Sequence, residues 1–153
     1  MKRMIAFFIL VLMLLCVKYL NIDKIKEIFG YDKIIVTTNQ SYADLSTDYI
    51  KSGDFYYYKL DKEKGKEFLK NKSRYKIEGI SFYFDKKYDL DYFKRIFDNN
   101  LTNGSQIENL EVYYGFYKNF DDYKMIDGKK INVQIAKTEE EWVIGMPFIL
   151  TGF

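Results

Sequence analysis

The chain of 153 residues has no histidine, one cysteine (Cys16), one proline (Pro147), one tryptophan (Trp142) and three arginines (Arg3, Arg74, Arg95). Without histidine there is no Ser-His triad and no imidazole general base, and a lone cysteine supplies neither a disulfide framework nor a thiolate metal site. The nine glycines are scattered over turns and strands, so no phosphate-cradling loop of the P-loop or G-x-G-x-x-G type is present. Carboxylates are plentiful, but Asp121-Asp122 and Glu139-Glu140-Glu141 are neighbours in sequence rather than the facing pair that acid/base chemistry requires. They read as solvated turns. No enzymatic activity and no cofactor is expected.

A strong charge of one sign is also missing. With 24 basic and 22 acidic residues the net charge is +2, and setting aside Lys2, Arg3 and Lys18 leaves the remainder near neutral. Stacking aromatics without a basic groove do not hold a nucleic-acid strand, so no nucleic-acid partner is expected. The most basic stretch, Lys59 to Lys72, alternates six lysines with Asp61, Glu63 and Glu67 and reads as a solvated helix face. The bias to lysine over arginine, together with abundant Ile, Tyr, Asn, Asp and Phe, matches A- and T-rich codons and points to an AT-rich genome such as that of a low-GC Gram-positive bacterium.

What the chain does have is apolar surface. Hydrophobic residues make up 48% and aromatic residues 19%, enough to build a core without metal or disulfide support. At the start, Lys2 and Arg3 precede an uninterrupted apolar run from Met4 to Val17, and counting on to Leu20 gives the length of a bilayer span if Lys18 snorkels. No small-residue cleavage pattern follows, and the large Leu15 stands before Cys16 where lipoprotein processing needs a small residue. We therefore expect residues 4–20 to sit in the lipid bilayer as an uncleaved signal anchor, with a cleaved or lipidated form and a buried core helix as alternatives. The short basic N-terminal tail favours a cytoplasmic N-terminus and an extracytoplasmic globular part.

The expected domains are thus 1–30, an anchor with a short helical extension capped near Gly30, and 31–153, an α+β domain. Within the latter, the expected strands are 33–38, 54–60, 74–84 with a kink at Gly79, 107–117, 129–137 and 141–150. A helical turn is expected around Tyr42, Leu45 and Tyr49. Asp61 is expected to cap a charged helix, and the apolar stripe Leu90, Phe93, Ile96, Phe97 and Leu101 marks the main helix. Thr102-Asn103-Gly104-Ser105 and Asp127-Gly128 read as turns. The sum is an antiparallel sheet of about five or six strands backed by one or two helices.

Fifteen tyrosines need a place in that sheet. Alternation sends Phe55 and Tyr57 to one face and Tyr56 and Tyr58 to the other, and likewise separates Val112, Tyr114 and Phe116 from Tyr113 and Tyr117. One set packs under the helix and one lies on an open face. Tyrosine tiling of an open face is ordinary sheet construction; the alternative is a binding face of Tyr56, Tyr58, Tyr113 and Tyr117.

The closing stretch from Ile131 to Leu150 resembles the end of the YwmB family, sporulation-associated envelope proteins of Bacillus and Clostridium relatives. The resemblance lies in the strand Ile131 to Ala136, a turn, and an aromatic-led strand carrying Gly145-x-Pro147-x-Ile149. The order of Gly79 to Phe84, an amphipathic helix and Val112 to Tyr117 is similar too. The resemblance covers about residues 75 to 150. It implies a fold like that of the TATA-box-binding protein, a secreted or membrane-anchored location and no enzymatic activity, and it supplies no site residues. The expected function is a non-enzymatic envelope protein acting through contacts with an envelope protein or wall polymer. A pilin-like assembly subunit and a wall-glycan-binding module are the alternatives.

Overall fold

The structure, a computed structural model, describes residues 30–97, 100–107, 110–118, 120 and 122–149. The expected membrane helix and its extension lie outside these residues, and among the described ones no helix is long and apolar enough to cross a membrane. The unit beginning at Tyr31 is an α+β fold. In chain order its strands are β1 (Lys33–Thr38), β2 (Tyr49–Ser52), β3 (Phe55–Asp61), β4 (Ile77–Asp85), β5 (Leu101–Ile107), β6 (Leu110–Gly115), β7 (Lys124–Ile126), β8 (Lys129–Ile131), β9 (Val133–Lys137) and β10 (Glu141–Met146). Its helices are α1 (Lys62–Asn71) and α2 (Leu90–Ile96).

Among the described residues eight strands form one sheet in the order β2-β3-β1-β4-β10-β9-β6-β5, every neighbouring pair antiparallel, and β7 and β8 form a separate two-stranded sheet. The sheet exceeds the expected five or six strands for two reasons. Residues 39–53, expected to hold a helical turn, contain β2, and the expected turn at Thr102 to Ser105 lies inside β5. The strand expected over 129–137 is two strands broken at Asn132.

Two of the hairpin turns follow from backbone chemistry. Gly53 takes the positive φ of 58° at the first central position between β2 and β3, which suits a II′ turn, and Asp127 and Gly128 both have positive φ between β7 and β8, as a I′ turn requires. The kink expected at Gly79 is a register slip: Thr37 faces Gly79 while Thr38 faces Ile77, so Glu78 is the extra residue.

The helices define the core face. Asp61 ends β3 and at once caps α1, its Oδ1 accepting from the amides of Glu63 at 3.0 Å and Lys64 at 2.9 Å. Gly65 lets α1 approach the sheet, since a Cβ there would stand 3.1 Å from the Tyr31 hydroxyl and 3.3 Å from Ile34 Cδ1. Asp89 caps α2 through the Tyr92 amide at 2.7 Å, and Phe93 then packs on Phe84 of β4 and Trp142 of β10, with ring centroids 5.3 and 5.0 Å away. The Trp142 indole N–H donates to the Tyr88 carbonyl at 2.8 Å. Below the helices lie Ile34, Val36, Leu60, Ile80, Phe82, Val133, Ile135 and Ile144, all buried. Each such side chain contributes roughly 1.5–3 kcal/mol by leaving water.

The other face is not open at its centre. Ser81, Ala136 and Val143 are buried there, and Gly145 lies beneath the backbone of Phe148 and Ile149. The Ile149 amide donates to Gln134 Oε1 at 3.0 Å, which fastens the returning segment across the sheet. The expected helix-backed sheet with one bare face is therefore corrected. Exposure is concentrated at the edges.

Candidate functional site

The four tyrosines named from the sequence do not form one surface. Tyr58 is 0% exposed on the helix-covered face, where its hydroxyl accepts from the Tyr42 amide at 2.7 Å. Tyr117 is 8% exposed, lies beyond the end of β6 and packs edge-on against Phe97 at 5.5 Å. Tyr56 and Tyr113 are half-buried, and the strand order places four strands between β3 and β6, about 24 Å at normal strand spacing. Tyr113 donates its hydroxyl to Glu111 at 2.8 Å, and Glu111 pairs with Lys137 at 3.6 Å. Burial, then the hydrogen bond to Glu111 and its charge, push the Tyr113 phenol up to about 12.

At the β2 end the aromatics do converge. Tyr49 lies 5.7 Å from Tyr56 and 5.3 Å from Tyr58, Tyr56 stacks on Tyr58 at 6.4 Å, and the Lys51 ammonium stands 5.3 Å over the Tyr56 ring. Behind this row, Tyr42 meets Tyr75 edge-on at 5.2 Å, and the Tyr42 hydroxyl accepts from the Lys76 amide at 2.9 Å. Tyr75 donates to Asp44 at 3.2 Å, and Arg74 pairs with the same carboxylate oxygen. Burial, with the Asp44 hydrogen bond second, raises the Tyr75 phenol. These are supporting bonds: they hold the loop before β2 against the sheet.

What that support presents is an edge. All four residues of β2 are exposed, with Ile50 71% and Tyr49 45% accessible, and Phe55 beside them is 38% accessible. β2 pairs with β3 on one side, and among the described residues no strand lies on its other side. An unpaired row of N–H and C=O groups with exposed apolar side chains is a template for strand addition. Sequence reasoning missed it by placing Tyr49 in a helical turn. Ser52-Gly53-Asp54 between two short β-prone runs is the hairpin signal that marks it.

Other candidate chemistry is accounted for structurally. Glu141 pairs with Lys33 at 3.2 Å and its carbonyl accepts from the Thr138 hydroxyl at 2.9 Å, so this acidic run closes the β9–β10 turn. Asp122 is exposed, and Trp142 is a core residue. Among the described residues no group of three His, Cys, Asp or Glu side chains is placed to hold a metal ion. No family model, curated protein or solved structure matches the chain.

Proposed function

We propose that this chain is a non-enzymatic, membrane-anchored envelope protein, held in the bilayer by residues 4–20, whose extracytoplasmic α+β domain acts through protein contacts in cell-envelope or sporulation processes. The anchor rests on the basic start and the apolar run of the sequence. The contact role rests on one observation, the fully exposed edge strand β2 with Tyr49, Ile50 and Phe55 accessible beside it. A near-neutral domain with an apolar edge suits a protein partner better than a polyanion. The sporulation part derives from the resemblance to YwmB proteins.

The test is topological. Cys16→Ser removes the native thiol, and Ser73→Cys places a new one in the exposed turn after α1. Intact cells are treated with a membrane-impermeant maleimide. Labelling of intact cells is the expected result. Labelling only after lysis would put the domain in the cytoplasm and overturn the envelope reading.

A further inference from the structure

The hydrogen-bond pattern of the β2–β3 hairpin fixes which groups of the edge are free to pair. The Lys59 amide donates to the Asp48 carbonyl at 3.3 Å, in the register that sets Tyr49 against Tyr58 and Ser52 against Phe55. In an antiparallel ladder, bonded and non-bonded pairs alternate. Residues 48, 50 and 52 therefore spend their backbone groups on β3. The N–H and C=O of Tyr49 and Lys51 point away from the sheet.

The side chains divide just as regularly. Tyr49 and Lys51 share the helix-covered face with Tyr56 and Tyr58, whereas Ile50 and Ser52 share the other with Tyr57 and Phe55. Lys51 is the single charge along β2, a residue type that commonly guards an edge. At the far edge of the sheet, β5 has a register shift between Asn103 and Gln106 that breaks a regular ladder. β2 pairs with β3 without any shift.

We propose that β2 pairs antiparallel with β2 of a second copy of this chain, about a two-fold axis through Ile50. Three symmetric registers bring outward-pointing groups together, and charge selects among them. Centring on Lys51 sets two lysines against each other, which is destabilising. Centring on Tyr49 leaves Lys51 opposite Thr47, a residue outside the strand. Centring on Ile50 places Tyr49 opposite Lys51 of the second copy, twice by symmetry, so both outward residues of each strand are used and each ammonium meets a tyrosine ring. Lys51 already lies over a tyrosine ring within its own chain, which shows that this chemistry is accessible to it. On the opposite face Ile50 meets its own symmetry mate, and the most exposed large apolar residue described leaves water.

The partner is thus a second copy because the edge matches itself in hydrogen-bond phase and sets a tyrosine ring opposite each ammonium. A four-residue strand buries far less than the roughly 1,200 Å² of a stable solution interface. The pairing therefore draws on the anchor proposed above, which holds copies in one bilayer at a high effective concentration.

The experiment uses the full chain carrying Cys16→Ser, expressed in cells, oxidised mildly, and separated into membrane and soluble fractions. Ile50→Cys puts two thiols across a non-bonded pair, where Cα atoms lie about 4.5 Å apart, within disulfide reach. Ser52→Cys is equally exposed and on the same face, but its thiols would be about 13 Å apart along the two strands. The expected result is a disulfide-linked dimer for Ile50→Cys, stronger by about tenfold or more than for Ser52→Cys. Adding Lys51→Pro, which removes an outward N–H and keeps the bonds to β3, is expected to abolish it. Equal cross-linking at 50 and 52, or none at 50 in whichever fraction holds the chain, overturns the pairing. A chain found only in the soluble fraction overturns the anchor instead, and its cross-linking still reports on the edge.

Discussion

Asn132 holds Tyr117 by both sides of its backbone: Asn132 Oδ1 accepts the Tyr117 amide at 2.6 Å while Nδ2 donates to the Tyr117 carbonyl at 2.8 Å. The same Nδ2 donates to the Phe120 carbonyl at 2.8 Å, and Asn132 itself is buried. One side chain thereby fixes the departure of the chain from β6 and the break between β8 and β9. Asn132→Ala takes the acceptor from the buried Tyr117 amide and a donor from the Phe120 carbonyl, while the Tyr117 carbonyl keeps the Phe120 amide at 3.1 Å; a buried orphan costs about 1–3 kcal/mol. The expected loss of about 3 kcal/mol would appear as a lower urea midpoint. Asn132→Asp should do no better, because it replaces the donor by a charge.

Gly145 carries a second prediction. A Cβ at this position would collide with the backbone of Phe148 and Ile149, and backbone cannot turn aside as a flexible side chain can. Gly145→Ala should displace the returning segment, break the Ile149 to Gln134 bond and destabilise the fold by roughly 1–3 kcal/mol. Faster amide exchange at Ile149 is the local readout. Unchanged exchange with unchanged stability would show that the segment does not need this close approach.

The tyrosine tract separates into structural and exposed members by substitution. Tyr58→Phe keeps the ring and removes the acceptor of the Tyr42 amide, at an expected cost of about 1 kcal/mol. Tyr58→Ala empties a fully buried site and should cost about 3–5 kcal/mol. Tyr49→Phe, at the exposed edge, should stay within about 0.5 kcal/mol of the parent. Thermal or urea denaturation of the three variants gives the ranking.

Phenol titration tests the electrostatics of Tyr113. Its pKa is pushed up from 10.0 to about 12, first by burial, then by the hydrogen bond to Glu111 and its charge. The folded state holds the proton more tightly than the unfolded one, so the contribution to stability is complete below pH 10 and is lost as pH rises toward about 12. Glu111→Gln removes the carboxylate charge and should bring the Tyr113 phenolate absorbance to lower pH. Burial persists in that variant, so the return toward 10 should be incomplete.

Local chemistry made part of this fold legible. The alternation and β-branching of Lys33–Thr38 mark β1 to the residue, and Asp61 marks the start of α1 because its carboxylate has free helix amides to cap. The stripe from Leu90 onward finds α2 but overruns it: the helix ends at Ile96, and Leu101 belongs to β5. Asn103-Gly104 carries turn chemistry yet sits in a strand. The glycine serves close approach there, since a Cβ would stand 2.6 Å from the Tyr114 ring and 2.7 Å from the Val112 carbonyl.

The candidate site was less legible, for a physical reason. Alternation sorts Tyr56 and Tyr58 from Phe55 and Tyr57, but only the landing of α1 and α2 decides which set is covered. Tyr58 consequently belongs to the core instead of a platform, and Tyr113 is separated from it by strands that the sequence does not order. Edge status has the same origin: β2 is exposed because β1 lies between β3 and β4, a neighbour relation set by tertiary packing.

The β4–β10 pair joins two halves of the sheet that are each continuous in sequence, β1 to β4 over residues 33–85 and β5 to β10 over residues 101–146. Strands made early and the last described strand therefore meet at the centre, with Phe93 lying across their junction on Phe84 and Trp142. During synthesis the first half must wait with one side of β4 bare until β10 emerges. A chain cut between the halves, near Asn100, would yield two fragments whose reassembly depends on a single strand pair, the packing of Phe93 and Phe97 on Trp142 and Tyr117, the indole bond to Tyr88 and the Lys33–Glu141 pair.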